Sequence, residues 1–137
     1  MVSTLRAPWQ RLMRIVVCSI TAYGNTGPKQ RHPAYDPVVQ AASGMMSING
    51  TPETAPVKIG PPVIDYGTGL AASFAIATAL FQRERTGKGR VVEVSMQDAT
   101  YASLASNLGM LHARGDAMPA RTGNRHGGLG ISPYNVY

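Results

Sequence analysis

The sequence predicts an α/β layer with a parallel or mixed sheet, and three observations lead there. Two short β-branched runs, Arg14-Ile15-Val16-Val17-Cys18-Ser19-Ile20 and Arg90-Val91-Val92-Glu93-Val94, have the length and composition of buried strands. Two helical patterns lie between them and a third follows, giving strand, helix, helix, strand, helix and then a glycine-rich loop. With 137 residues, 44% of them hydrophobic, the chain supplies one core and allows one domain.

Each element has its own local reason. Strand 14–20 runs into the turn-rich Tyr23-Gly24-Asn25-Thr26-Gly27-Pro28, which ends it. Asp36 followed by Pro37 reads as an N-cap with proline at the first helical position, and Val38, Val39, Ala41, Ala42, Met45 and Met46 then recur at helical spacing, predicting a helix over 36–46. Asn49-Gly50 and the prolines at 52, 56, 61 and 62 make an irregular loop. From Thr68 a helix is expected, capped by Thr68, with Arg83 and Arg85 in its last turn and Gly87 at its end. Its Ala-rich, nearly all-round apolar surface predicts close packing on several sides. After strand 90–94, Ser95-Met96-Gln97-Asp98 reads as a capping box opening a helix that runs to His112.

The charge balance is 13 Lys and Arg against 7 Asp and Glu, net +6. A basic chain invites a nucleic-acid reading, but the cations are scattered as Arg11/Arg14, Lys29/Arg31, Arg83/Arg85/Lys88/Arg90 and Arg121/Arg125, with few interleaved aromatics and no finger, RNP or zipper spacing. No nucleic-acid partner is expected, and an anionic small ligand, or plain solvation, explains the cations at least as well. With one cysteine, Cys18, no internal disulfide and no cysteine zinc site can form, and Cys18 reads as a small buried hydrophobe. A reducing compartment fits, so a cytoplasmic location is expected. The mitochondrial matrix is the alternative, because the first 35 residues hold five basic residues and no acid. The longest uncharged apolar run, Gly69 to Phe81, is 13 residues, which predicts no membrane span. Only 15% of residues are charged and Gly and Pro number 15 and 10, a composition that expects partner surfaces.

Three tempting motifs carry little. Thr86-Gly87-Lys88-Gly89 lacks the full phosphate-loop pattern and follows a helix; it is a helix stop. Gly123 to Gly130 is not GxGxxG and follows no strand, which argues against a dinucleotide site and leaves a mobile loop over a site open. His32, His112 and His126 have no metal-ligand spacing, and no metal site is expected. The informative segment is Gly60-Pro61-Pro62-Val63-Ile64-Asp65-Tyr66-Gly67-Thr68-Gly69. Two prolines stiffen the approach, an acid is presented at a helix N-terminus that favours negative charge, and Gly67 and Gly69 leave space around the backbone. Asp65 is then either an N-cap or a nucleophilic carboxylate, and spacing alone leaves both readings open.

Five ordered blocks carry a resemblance: Ser19 to Pro28; Tyr35-Asp36 with Gln40 to Met46; the Asp65 segment; Arg83 to Arg90; and Val94 to Asp98. Together they resemble the middle of a class III coenzyme A transferase of the formyl-CoA transferase and carnitine CoA-transferase type, over residues 14–137, while 1–13 stay unassigned. Members are much longer, so the chain resembles an internal fragment of that Rossmann-like fold. The resemblance implies transfer of coenzyme A from an acyl-CoA donor to a carboxylic acid acceptor through an aspartyl-acyl anhydride and an aspartyl-CoA thioester, with Asp65 as nucleophile. A carboxylate nucleophile needs no partner base at neutral pH. It also implies that His32, Pro33, Ala34 and Tyr35 line the coenzyme A site, that Gly127, Gly128 and Gly130 form the loop covering the aspartyl intermediate, that coenzyme A enters as substrate with no resident cofactor, and that the full-length protein is an interlocked homodimer. Asp98 reads as a helix cap. Racemases of 2-methylacyl-CoA resemble the chain too, but carry His-Asp where Tyr35-Asp36 stands, so transfer is preferred over racemisation. A catalytically inactive piece or interaction module is the reading from another class.

Overall fold

The computed structural model describes residues 13–113, 115, 121–126, 133, 134 and 136. Strand β1 (Val16–Thr21) is followed by α1 (Asp36–Ala42), α2 (Met45–Ile48), α3 (Val63–Thr86), β2 (Arg90–Ser95), α4 (Met96–Ser103) and α5 (Ala105–Ala113). β1 and β2 pair in parallel, Val16 opposite Arg90 through Thr21 opposite Ser95, and α3 packs against both strands. The predicted α/β order therefore holds, with two of its helices broken. In the sheet the half-buried Val16, Cys18, Val92 and Val94 alternate with the exposed Val17, Val91 and Glu93, so α3 covers one face and the Val17–Val91 face is open. Cys18, on the covered face, is half-buried rather than buried as expected.

The expected helix over 36–46 ends at Ala42, because Gly44 adopts a left-handed φ of 85° that splits off the short α2. Its N-cap is Tyr35, without a side-chain cap, and Asp36 lies inside the first turn instead of capping it. The long helix begins at Val63, five positions before the expected Thr68. Thr68 caps nothing: its hydroxyl donates to the Ile64 carbonyl at 2.6 Å within the helix. Gly87 ends α3 in the left-handed conformation, its N–H bonded to the Arg83 carbonyl at 2.8 Å, with Arg83 and Arg85 in the last turn as predicted. The helix expected to run from Ser95 to His112 breaks at Leu104 into α4 and α5. Its start is as predicted, since the Ser95 hydroxyl accepts the Asp98 N–H at 3.0 Å. Ser95→Ala is accordingly expected to cost ~1 kcal/mol, read as a lower urea midpoint at unchanged m-value.

By length and composition α3 is apolar enough to cross a bilayer, which corrects the shorter run counted from Gly69 to Phe81: the helix has 24 residues and its charges sit only at its ends. Here it occupies the place of a crossover helix in a βαβ unit, with Ile64, Thr68, Ala72 and Ala79 buried along one stripe toward the sheet and α4. The opposite stripe, Tyr66, Leu70, Phe74 and Phe81, is exposed. The all-round packing expected of this helix is thus realised on one side only. The core proper lies at the other end of the layer, where Val39, Met45, Ile64, Met96 and Leu104 meet and Ala22, Ala34, Ile48, Ile59 and Val63 close around them. That cluster joins α1, α2, the start of α3 and the α4–α5 break, and it fixes the beginning of α3 in space.

Candidate active site

Asp65 sits in the first turn of α3, one residue past the buried Ile64, and its side chain is exposed. The preceding Pro62 is the N-cap and offers no side-chain acceptor, leaving the helix's first N–H groups to find one elsewhere. Asp36 of α1 supplies it. One carboxylate oxygen of Asp36, Oδ2, accepts the Ile64 N–H at 2.7 Å and the Asp65 N–H at 3.3 Å. The other, Oδ1, accepts from the Gln40 side-chain amide. Gln40 is completely buried, and its Oε1 accepts the Ile59 N–H at 2.8 Å while its Nε2 also reaches the Ile59 carbonyl at 3.5 Å. A buried anion is thus satisfied on both oxygens, and two side chains of α1 hold both ends of the Ile59–Asp65 segment.

The sequence reading assigns Asp36 to the cap of its own helix and gives Gln40 no part. The signal present is Asp36 and Gln40 at i, i+4 on one helix face, together with a proline N-cap on α3 that lacks an acceptor. The Asp65 carboxylate itself has no hydrogen-bond partner among the described residues. A Cβ at Gly67 or Gly69 would meet no atom beyond its chain neighbours and the helix's own backbone within 4 Å, and at Gly69, one turn on from Asp65, that open space lies on the same face as the carboxylate. Each glycine costs such a helix ~1 kcal/mol relative to alanine, and no steric demand within the described residues accounts for either.

The Asp36 contact brings the second predicted segment to the same place. Tyr35 adjoins Asp36, its carbonyl accepts the Val38 and Val39 N–H groups, and its ring is 78% exposed. His32 and Pro33 are exposed, whereas Ala34 is half-buried against the core cluster. Gly127, Gly128 and Gly130 lie outside the described residues. Just before them, Arg121 donates to the Ser47 and Thr51 carbonyls at 3.3 and 3.1 Å and Gly123 to the Gly50 carbonyl at 2.9 Å, so residues 121–123 are tied to the end of α2. A cleft of about 380 Å³ opens between α2, α3 and α4, walled by Met45, Ile48, Ile64, Thr100 and Leu104. Asp65 is not part of its wall, because Ile64, Gly67 and Thr68 face it and Asp65 is turned to another side of the helix. Glu53, on the exposed loop before Pro61, is held below the usual carboxylate range by the Thr51 side chain and then its own backbone N–H; it precedes the site and takes no part in these contacts. Among the described residues no three His, Cys, Asp or Glu side chains group as a metal site.

The sequence profile described as CoA-transferase family III matches residues 5–137. The chain belongs to this family. Among its family III relatives, the acetyl-CoA:oxalate CoA-transferase of Acetobacter aceti is 42% identical over 125 residues, 90% of this chain and 31% of that protein. The succinate–glutarate CoA-transferase of Agrobacterium fabrum is 40% identical over 123 residues, 90% of this chain and 30% of that protein. In three dimensions the chain is similar to a CAIB/BAIF family protein from Brucella suis, with a TM-score of 0.80 and 38% identity over 89% of this chain and 32% of that one. This family III chain spans about a third of the length of the curated relatives it matches.

Proposed function

We propose that the protein carrying this family III chain transfers coenzyme A from an acyl-CoA donor to a carboxylic acid, with Asp65 as the nucleophile. The observation that carries the reading is an exposed carboxylate, unpartnered among the described residues, on a helix turn whose backbone is gripped from α1. The names of the oxalate and succinate–glutarate CoA-transferases among its relatives support the class of reaction. An Asp65 oxygen attacks the thioester carbonyl, the C–S bond breaks, and coenzyme A leaves as thiolate from an aspartyl-acyl anhydride. The thiolate then attacks the aspartyl carbonyl, releasing the donor acid and leaving an aspartyl-CoA thioester. The acceptor carboxylate attacks that thioester and the two steps run in reverse, restoring the Asp65 carboxylate. No proton needs to move in any of these steps, so the carboxylate works without a general base.

The exposed His32, Pro33 and Tyr35, beside Asp36, are the residues of this chain that would receive coenzyme A, with Ala34 holding the segment to the core. The space over Gly69, one turn on from Asp65 and on the same face of the helix, is the room the acyl group needs next to Asp65. The test is chemical trapping. Incubation with an acyl-CoA donor followed by hydroxylamine is expected to convert Asp65, and no other carboxylate, to its hydroxamate, read as a mass shift on the Asp65 peptide. Turnover with that peptide unmodified would remove the covalent mechanism.

A further inference from the structure

Asp36 and Gln40 are the described side chains that join α1 to both ends of the segment bearing Asp65, and both are buried, Asp36 to 4% exposure and Gln40 to zero. Their hydrogen bonds form one chain with a fixed direction. The Ile59 N–H donates to Gln40, the Gln40 amide donates to Asp36 Oδ1, and the Ile64 and Asp65 N–H groups donate to Asp36 Oδ2. Asp36 is an acceptor on both sides, and no neutral side chain of its shape can be that. Placing this chain in the core holds α1, with Tyr35 at its tip, in one register against the first turn of α3.

We propose that Asp36 and Gln40 are positioning residues for the transfer reaction: their hydrogen-bond chain sets where the Asp65 carboxylate stands relative to the Tyr35 end of α1. This rests on the reading of Asp65 as nucleophile. Reaction requires the attacking oxygen close to the thioester carbon and aligned with it, and a displacement of about 1 Å lowers such rates roughly 10²-fold. Binding of coenzyme A through its distant groups is less sensitive to that displacement, so the effect falls on kcat more than on KM.

The chain's direction supplies the experiment. Asp36→Asn puts an NH₂ group against a donor whichever way the amide turns, and Gln40→Glu puts two carboxylates face to face. Asp36→Asn combined with Gln40→Glu restores the chain and gives up only the long 3.5 Å bond from position 40 to the Ile59 carbonyl: the new amide at position 36 accepts from Ile64 and Asp65 through its oxygen and donates through its NH₂ to the new carboxylate at position 40, whose other oxygen accepts from Ile59. In the protein carrying this chain, each single variant is expected to lower kcat roughly 10- to 1,000-fold with KM for acyl-CoA changed less than about 3-fold, and the double variant to recover at least about tenfold of the loss. Single variants with unchanged kcat, or a folded double variant no better than the singles, would overturn the proposal. If a single variant does not fold, the double variant decides alone: it must fold and turn over within about tenfold of the parent, and failure on either count rejects the positioning role. Asp65→Ala run alongside separates the two ideas, since full activity in that variant removes the nucleophile, whereas its inactivity beside unaffected Asp36 and Gln40 variants removes only the positioning.

Discussion

Asp65→Ala is expected to lower exchange of label between acyl-CoA and free acid by roughly 10³-fold or more while the fold stays intact. The reasoning has two halves. The first is chemical: without the carboxylate there is no oxygen to form the anhydride, and the remaining contacts can bind substrate but cannot split the transfer into its easier steps. The second is structural: Asp65 is exposed, and its side chain accepts no hydrogen bond from the described residues, so its removal leaves no buried group unsatisfied. What is lost is the favourable placement of an acid in the first turn of a helix, under about 1 kcal/mol. Thermal unfolding of the variant should therefore overlay that of the parent, and the loss of exchange reads as chemistry. Asp65→Glu refines the result. Its carboxylate is one methylene further out, and partial activity, roughly 10²-fold below the parent, is expected from the misplacement. Exchange at the parental rate in Asp65→Ala would end the nucleophile assignment.

Gly89→Ala is expected to do the opposite, destroying the structure without touching the chemistry. Gly89 stands just before β2 and donates its N–H to the Met13 carbonyl at 2.7 Å, while Arg90 donates to the Ile15 carbonyl at 3.0 Å. A Cβ on Gly89 would overlap the Ile15 carbonyl oxygen and crowd the carbon and nitrogen of the same residue. These are backbone atoms, fixed by the strand pairing that begins there, and they cannot turn aside as a side-chain tip can. Relief requires β1 and β2 to part at their first pair, Val16 opposite Arg90. A loss of ~3 kcal/mol or more is the expected magnitude, at the severe end for a single substitution, measured as a large fall in the urea midpoint or as insoluble expression. A variant as stable as the parent would mean that the strands pair in a different register.

The strands, the Ser95 cap and the Gly87 stop are legible in the sequence because each is decided within a few residues: β-branched runs, a serine three positions before Asp98, a glycine after two arginines. The break at Gly44 is not, since an apolar pattern continues across it to Met45 and Met46, and the left-handed turn is chosen by packing of Met45 into the core. The start of α3 escapes for a related reason. Thr68 has the composition of a cap, but the acceptor that terminates the helix is Asp36, far away in the sequence. Spacing leaves Asp65 undecided between cap and nucleophile, and the likeness to a family, rather than any local pattern, singles it out. Gln40 falls within a family block yet receives no role from the sequence, because a glutamine among alanines carries no sign that it will be fully buried.

The remote capping of α3 has a consequence for how the protein comes to work. A helix that carries its own cap can form early and hold its first turn in shape before the remainder of the chain has collapsed. Here the first turn is completed only when α1 docks, across the stretch from Gln40 to Ile59 that includes α2. Partly folded chains would therefore hold Asp65 on a frayed end, where it has no fixed direction. Competence for chemistry then arrives together with the last long-range contact, so the fraction of active molecules tracks cooperative folding of the layer and not the helicity of α3.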